Sequence, residues 1–433
     1  MTRTLIVNAD DYGLARGIND SILEAADRGT LGGVSVLGNG EDVDYALREY
    51  AKRAPRVRLA VHLALTEGKA LSAPNDIPLI ADERGMFRFS VVGLWMKYLF
   101  SSAARRTQLR AEVGRELAAQ LARIREGLTA HGLTADAVDG HQHVHMLPFV
   151  FDEVMQLGVK RVRIPSEPLY FVKGNIGTYL GAHSLGRIVL LALAMHARVK
   201  ARACGVSFND HTLGVLFSGR MSLSVVEAGL RRIRSLPAGE TEVILHPGSA
   251  REGELAVWKE SRADIGWHYS PRRHRERELV TSSQLRALLD SFIAGTGPRK
   301  TFLFRIPSPV RFLVSGSTAF GITIALLYAF TEWGKLWYIL SATLAFSCSI
   351  AAGFLLHKYW TFSDRASGNA RRQFASFITL NLFNVGLNAL GLYLVVEHLH
   401  IWYIAAEVLV ALAIALWSFT VMRLVIFRAA PVR

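Results

Sequence analysis

The sequence predicts an α/β domain, a distorted (β/α) barrel, followed by an all-α domain of four transmembrane helices. Three observations predict it. Short β-rich runs alternate with amphipathic helical stretches over residues 1–290, the pattern of a parallel sheet. Beyond residue 311 come four long apolar stretches, each near the ~20 residues that cross a bilayer as a helix. The composition agrees: 433 residues are too many for one ordinary domain, 51% are hydrophobic, 20% are charged and the mean hydropathy is +0.23. Such a chain is not disordered, coiled-coil or collagen-like, and a purely soluble protein is disfavoured.

Taken in order, strands are expected at 4–8, 33–37, 58–64, 137–144, 160–164 and 242–245, with helices such as 17–28 and 107–131 between them. The first domain is assigned to residues 1–294 and a linker to 295–310 (GTGPRKTFLFRIPSP lies within it). The apolar stretches of 311–433 are 312–330, 336–356, 374–396 and 401–422. Four buried helices of a soluble domain would be the alternative, but the stretches lack a polar face of the usual width. Cys204 and Cys348 lie far apart and support neither a disulfide framework nor a cysteine zinc site.

The net charge is +14, and from Arg299 onward twelve Lys and Arg stand against four Asp and Glu. Such excess suits an anionic membrane surface, and no zinc-finger, RRM or basic-helix signature points to nucleic acid. Arg299, Lys300, Arg305 and Arg311 precede the first span. Lys358, Arg365, Arg371 and Arg372 lie between the second and third, and Arg423, Arg428 and Arg433 follow the fourth. The other two loops hold only Lys335, so the positive-inside rule places both termini and the first domain in the cytoplasm. The opening MTRTLIVNADDYG is too short in its apolar run and too acidic to read as a signal peptide. Trp333, Trp337, Tyr338, Trp402 and Tyr403 suit the outer interface.

The unusual polar residues fall at expected strand ends, where β/α folds carry chemistry. Asp10 and Asp11 close the first strand, His62 lies in VHLALTEG, DGHQHVH sets His141, His143 and His145 at alternate positions, and His246 follows an apolar strand in ILHPG. On a strand the three alternate imidazoles share a face. One aspartate and two histidines form a good divalent-metal set with open positions for water and a substrate oxygen. A neighbouring carboxylate could take the water's proton, and His246 is a candidate acid for a leaving amine. The reaction class is metal-assisted amide hydrolysis. Each piece has a plainer reading: Asp10 and Asp11 as helix caps, His62 as a core histidine, His246 as a turn residue. Three histidines on one buried face are costly without a partner, and the combination favours a metal site.

NADDYG, VHLALTEG, DGHQHVHMLP, RIPSEP and ILHPG resemble the YdjC/ChbG carbohydrate deacetylase family over about residues 1–290. The resemblance implies a distorted β/α barrel that removes an acetyl group from an N-acetylated sugar with one divalent metal, usually magnesium, zinc or another transition metal being the alternative. Carried over by motif, Asp11, His62 and His141 would hold the metal, Asp10 would be the general base and His246 the general acid. His143 and His145 would lie behind the ligands or touch substrate, and Arg163 and Glu167 would bind substrate or orient the site. Tyr12 stands where Phe is common.

Residues 311–428 are similar to the GtrA family through RFLVSG, GFLLHKYWTF and RLVIFR, although Gly353 and His357 replace common Asn residues. That resemblance implies handling of polyprenyl-phosphate-linked sugars at the bacterial inner membrane. Asn381, Asn384 and Asn388 share a helical face and Glu407 lies within the fourth span, where polar groups face a partner or a pathway. Arg311, Lys358, Arg371, Arg372 and Arg423 could gather around a lipid phosphate, or express the positive-inside bias alone. Two further stretches, 87–100 and 185–202, read as interfacial helices, with ordinary packing of barrel helices an equal alternative for the first and the membrane favoured for the second. The leading expectation is a cytoplasm-facing deacetylase of an amino sugar on undecaprenyl phosphate, in a self-associating membrane protein. The alternatives are a tethered deacetylase of soluble chito-oligosaccharides and a transporter that binds sugar without hydrolysing it.

Overall fold

A computed structural model describes residues 3–28, 30–53, 57–172, 182–260, 265–295, 308–362, 364, 369–399 and 403–427. They fall into two units, 1–302 and 303–433. The expected linker residues 296–307 lie outside the described residues, as do Arg299, Lys300, Arg305, Arg365, Trp402, Arg428 and Arg433. So do the side chains of Trp333 and Tyr403.

Among the described residues the first unit is built on eight strands: β1 (Thr4–Tyr12), β2 (Gly33–Leu37), β3 (Arg58–Leu63), β4 (Ala137–Gly140), β5 (Arg161–Val162), β6 (Ser207–Phe208), β7 (His211–Leu213) and β8 (Glu240–Leu245). They form one sheet in the order β6-β5-β4-β3-β2-β1-β8-β7, and every described pairing is parallel. β6 and β7 are the two edges, so the barrel is open between them. Helices cover the sheet: α1 (Arg16–Asp27), α2 (Val43–Arg53), α3 (Val91–Leu99), α4 (Ala103–Thr129), α5 (Pro148–Gln156), α6 (Ala182–Ala203), α7 (Leu223–Arg234), α8 (Pro271–Val280) and α9 (Ser283–Ile293). β2 (GVSVL) is buried at all five residues because a helix packs on its outer face while its inward Ser35 bonds to Asn8, Asp139 and Arg163.

The strand expected over 137–144 stops at Gly140. His141–Met146 forms a tight turn in which Gln142 and His143 take φ of 51° and 55°. That left-handed backbone cannot continue a strand, so the three histidines do not share one strand face. The expected 160–164 strand pairs only at 161–162, and the short strands β6 and β7 are too brief for a sequence pattern to reveal.

The second unit contains α10 (Ser308–Tyr328), α11 (Tyr338–Leu355), α12 (Ala370–Leu399) and α13 (Tyr403–Val421). With their continuing turns they provide, among the described residues, four segments, Ser308–Glu332, Tyr338–Thr361, Ala370–His398 and Leu409–Ile426, long and apolar enough to cross a membrane. Large apolar side chains point outward: Phe320 and Leu382 are 69% exposed and Leu416 70%. Water would not stabilise such a surface but lipid does, which removes the reading as a soluble bundle.

Several expected polar contacts of this unit differ from the reading of a phosphate site. Lys358 is fully buried and donates to Asp364 Oδ2 at 3.0 Å and Gln373 Oε1 at 2.7 Å. A carboxylate neutralises it, so it is no open phosphate contact. Arg311 donates to the carbonyl of Trp360, while Arg371, Arg372 and Arg423 are exposed. The Asn stripe works between helices: Asn384 Nδ2 donates to Ser418 Oγ at 2.8 Å and Asn388 Nδ2 to Glu407 at 3.2 Å, both joining α12 to α13. Asn381 instead bonds Phe377 O on its own helix.

Candidate active site

The site lies at the C-terminal ends of β1, β3, β4 and β8. β1 brings two acids to one place through a local irregularity. In regular strand Asp10 and Asp11 would point to opposite faces. Asp11 instead takes φ +68°, and the pairing with β2 shifts register between Ala9 and Tyr12. This kind of backbone costs about 1–3 kcal/mol and is kept where function needs it.

Each acid has its own arginine. Asp10 receives Arg163 Nη1 at 2.8 Å and Nη2 at 2.9 Å, and Asn8 Nδ2 at 2.7 Å. Asp11 Oδ2 receives Arg273 Nη1 at 2.7 Å. Burial by itself pushes both carboxyls up, but these guanidiniums and the nearby histidines hold both well below the usual range. Asp139 is lowered in the same way, against burial, by Arg163 and His62.

The histidines are aimed by carboxylates. His62 Nδ1 lies 2.7 Å from Asp139 Oδ1, which leaves Nε2 turned to Asp11 Oδ1 at 3.8 Å. His141 Nε2 lies 3.0 Å from Glu67 Oε2, which leaves Nδ1 3.3 Å from the same Asp11 oxygen. His268 Nε2 also reaches Glu67 Oε2 at 3.0 Å. Against the opposing pull of burial, Glu67 and Asp11 drive His141 up to about 10. Likewise His141 and His268 hold Glu67 at about 2.

This arrangement fits a divalent cation. Asp11 Oδ1 is buried yet has no hydrogen-bond partner, a costly state for a carboxylate oxygen. The ligand atoms of Asp11, His62 and His141 lie within 4.8 Å of one another. Asp139 and Glu67 behind the two imidazoles supply the carboxylate–histidine support usual at metal centres. A proton on His141 answers part of the same negative charge that a cation would answer.

His246 sits apart from this trio. Its backbone N–H donates to Glu276 Oε2 at 2.7 Å, and its Nδ1 is 3.8 Å from that oxygen. Burial opposes protonation of His246, but Glu276, Asp11 and Asp10 together raise its pKa.

Of the four residues expected to bind substrate, Arg163, Glu167 and His145 are buried and His143 is half-buried. Arg163 is 3% exposed and is enclosed by Asp10, Asp139 and Glu242, so it positions carboxylates beneath the pocket rather than touching substrate. Glu167 is 1% exposed and accepts from the backbone N–H groups of Gly214 and Leu216, a loop clamp beyond β7. His145 is fully buried against the carbonyl of Arg163 at 2.8 Å, where desolvation lowers it to about 4. His143 is half-buried, and desolvation first, then His145 and Arg163, lower it to about 3.

The site also contains Asp139, Glu67, His268, Arg273 and Glu276, none of which the sequence reading selected. Asp139 and Glu67 were within reach, since they sit in the DGHQHVH and VHLALTEG motifs. The other three come from the segment after 265, where no motif marks them.

An open parallel β/α sheet with a buried carboxylate–imidazole centre at its C-terminal rim, carried by a chain with four apolar spans, defines the class. The chain belongs to the YdjC-like protein family, whose model matches residues 4–291. Residues 311–427 match the GtrA/DPMS transmembrane domain, and the chain is a multi-pass membrane protein. It is 36% identical over 169 residues to a carbohydrate deacetylase of Geobacillus stearothermophilus, covering 39% of this chain and 61% of the relative. It is 34% identical over 161 residues to a chitooligosaccharide deacetylase of Salmonella paratyphi B, covering 37% and 58%. The chain thus spans about three fifths of the length of these relatives. A crystal structure of a candidate cellobiose-phosphate cleavage protein from Enterococcus faecalis V583 aligns with a TM-score of 0.49 at 19% identity, over 68% of this chain and 96% of that one.

Proposed function

We propose that this protein is a membrane-bound, metal-dependent N-deacetylase. Its substrate is an N-acetylated amino sugar carried on undecaprenyl phosphate at the cytoplasmic face of the bacterial inner membrane. The GtrA-like unit binds or translocates the lipid-linked product, and self-association of the four-span unit would line a path. The observation that carries the hydrolytic part is the unpartnered Asp11 Oδ1 facing His62 Nε2 and His141 Nδ1. The deacetylase names of two relatives support the reaction class.

Asp11, His62 and His141 would hold the cation. Bound there, it would supply Lewis acidity toward the acetyl carbonyl and lower the pKa of a water. Magnesium follows from family resemblance; two imidazole donors suit zinc or another transition ion as well. Asp10 accepts the water's proton. Its salt bridge to Arg163 makes it a weak base, adequate only for an acidified water. His246, raised by Glu276 and the two aspartates, carries a proton to the leaving amine. Asp139 and Glu67 keep the two imidazoles in the tautomers this work requires.

The Salmonella relative's name favours one second reading, in which a soluble chito-oligosaccharide is the substrate and the spans only tether the enzyme. Purified protein is to be incubated with lipid-linked N-acetylglucosamine and with soluble chitobiose, each with and without chelator. Chelator-sensitive acetate release from the lipid-linked sugar is expected. Release from chitobiose alone would replace the substrate, and release from neither would leave a sugar-binding transporter.

A further inference from the structure

α3 has one face in the core and one without a partner among the described residues. Leu94 is buried and the ring of Tyr98 stacks on Phe149 of α5, with centroids 4.1 Å apart and planes 3° apart. On the other side Val92, Met96, Leu99 and Phe100 are 67%, 47%, 44% and 76% exposed. Their spacing of i, i+4, i+7 and i+8 makes one stripe along the helix. Four large apolar side chains in one stripe are more than the scattered exposure of an ordinary surface.

From residue 84 to residue 111 the chain has Arg84, Arg88, Lys97, Arg105, Arg106 and Arg110 and no acid. Arg84 is paired with Glu260 and Arg110 with Glu153, which leaves Arg88, Lys97, Arg105 and Arg106 as the cations of the α3 region. An apolar helix face with basic residues on and next to the helix matches the interfacial zone of an anionic leaflet, where lipid tails receive the stripe and phosphates the cations. A second, shorter stripe, Met195 and Val199 at 69% exposure each, lies on α6. That helix is tied to α5 by the Lys200–Asp152 ion pair. No acid occurs from 168 to 209. Four spans in the same chain keep a bilayer at high effective concentration near the first unit.

We infer that the exposed face of α3 docks onto an anionic phospholipid leaflet. α5, against which Tyr98 packs, begins directly after the His141–Met146 turn. Docking there therefore holds the histidine side of the pocket near the headgroups, where a sugar on a lipid phosphate is found. That last consequence rests on the proposed lipid-linked substrate; the docking itself does not.

The test uses the full chain in nanodiscs, with Cys204→Ser and Cys348→Ser to remove the two exposed free cysteines. An environment-sensitive fluorophore is attached at Met96→Cys. A control fluorophore is attached at His131→Cys, beyond the far end of α4 and ~40 Å along that helix from its start. In phosphatidylglycerol discs containing doxyl-labelled lipid, emission at position 96 is expected to fall at least about twofold more than at 131. The difference should disappear in purely phosphatidylcholine discs and in a Val92→Glu, Phe100→Glu variant. Equal quenching at both positions, or quenching indifferent to lipid charge, overturns the inference. A blue shift without quenching marks a protein partner or second copy and also overturns it. Because quenching needs no turnover, quenching without acetate release would sink the deacetylase reading and leave the docking intact.

Discussion

Replacing Arg163 by methionine tests the electrostatic logic of the pocket. The side chain is 2% exposed and holds Asp10 at 2.8 Å, Asp139 at 2.8 Å and Glu242 at 2.8 Å. Methionine fills a similar volume but leaves three buried carboxylates without their shared cation. Removing one partner of a buried ion pair costs about 3–5 kcal/mol at neutral pH. The cost should depend on pH in a definite direction. In the native protein Asp10 lies below its ordinary 3.8, so its contribution is present above that value and is lost as pH falls through the folded value. In the variant His62, His246 and the Asn8 amide remain, but the guanidinium that chiefly offsets burial is gone, so Asp10 rises above its unfolded value and stability is lost as pH rises. The difference between the two proteins should therefore be largest near pH 7–8 and shrink toward pH 5, by about 1.4 kcal/mol for each unit of altered pKa. Pulse proteolysis of the detergent-solubilised chain in urea, read on the first unit, measures it. A loss below about 1 kcal/mol, or one constant across that range, would refute the reasoning. Arg163→Lys should fall between, since a point charge cannot satisfy three carboxylates as a guanidinium fork does.

Asp10→Asn should keep divalent-ion affinity within about threefold while acetate release falls roughly 10²–10⁴-fold, the usual weight of a general base; calorimetry paired with the acetate assay separates the two. Asp11→Asn and His62→Gln should lose bound metal in equilibrium dialysis, and chelation of the native protein should abolish turnover. His145, held at about 4, takes up a proton on unfolding anywhere between about pH 4 and 6.5. Stability should consequently fall as pH drops through that window, and His145→Asn should reduce the slope by up to about 1.4 kcal/mol per pH unit in urea titrations. In the membrane unit, Lys358→Met should lower the melting temperature in detergent by stranding Asp364, and the Lys358→Met, Asp364→Asn double variant should recover most of it. Failure of the double to recover would show that Lys358 acts beyond that pair.

The sequence by itself determined what depends on local periodicity and composition. The parallel β/α character, the four spans and the strands β1, β2, β3 and β8 could be read because apolar runs of strand or membrane length announce themselves. Asp10, Asp11, His62, His141 and His246 could be read because each sits beside a strand end in a recognisable run. Only the tertiary structure decided how these residues are used. The left-handed turn at Gln142 and His143 sends His141 to Asp11 and Glu67 and withdraws His145 into the core, which alternation along a strand could not anticipate. Arg273, His268 and Glu276 reach the pocket from more than 200 residues beyond Asp11, and Lys358, expected near a lipid phosphate, is instead paired with Asp364. The physical reason is range: secondary structure follows the nearest few residues, whereas the charge balance of a buried pocket depends on whatever the fold brings within a few ångströms, and a linear sequence does not record that distance.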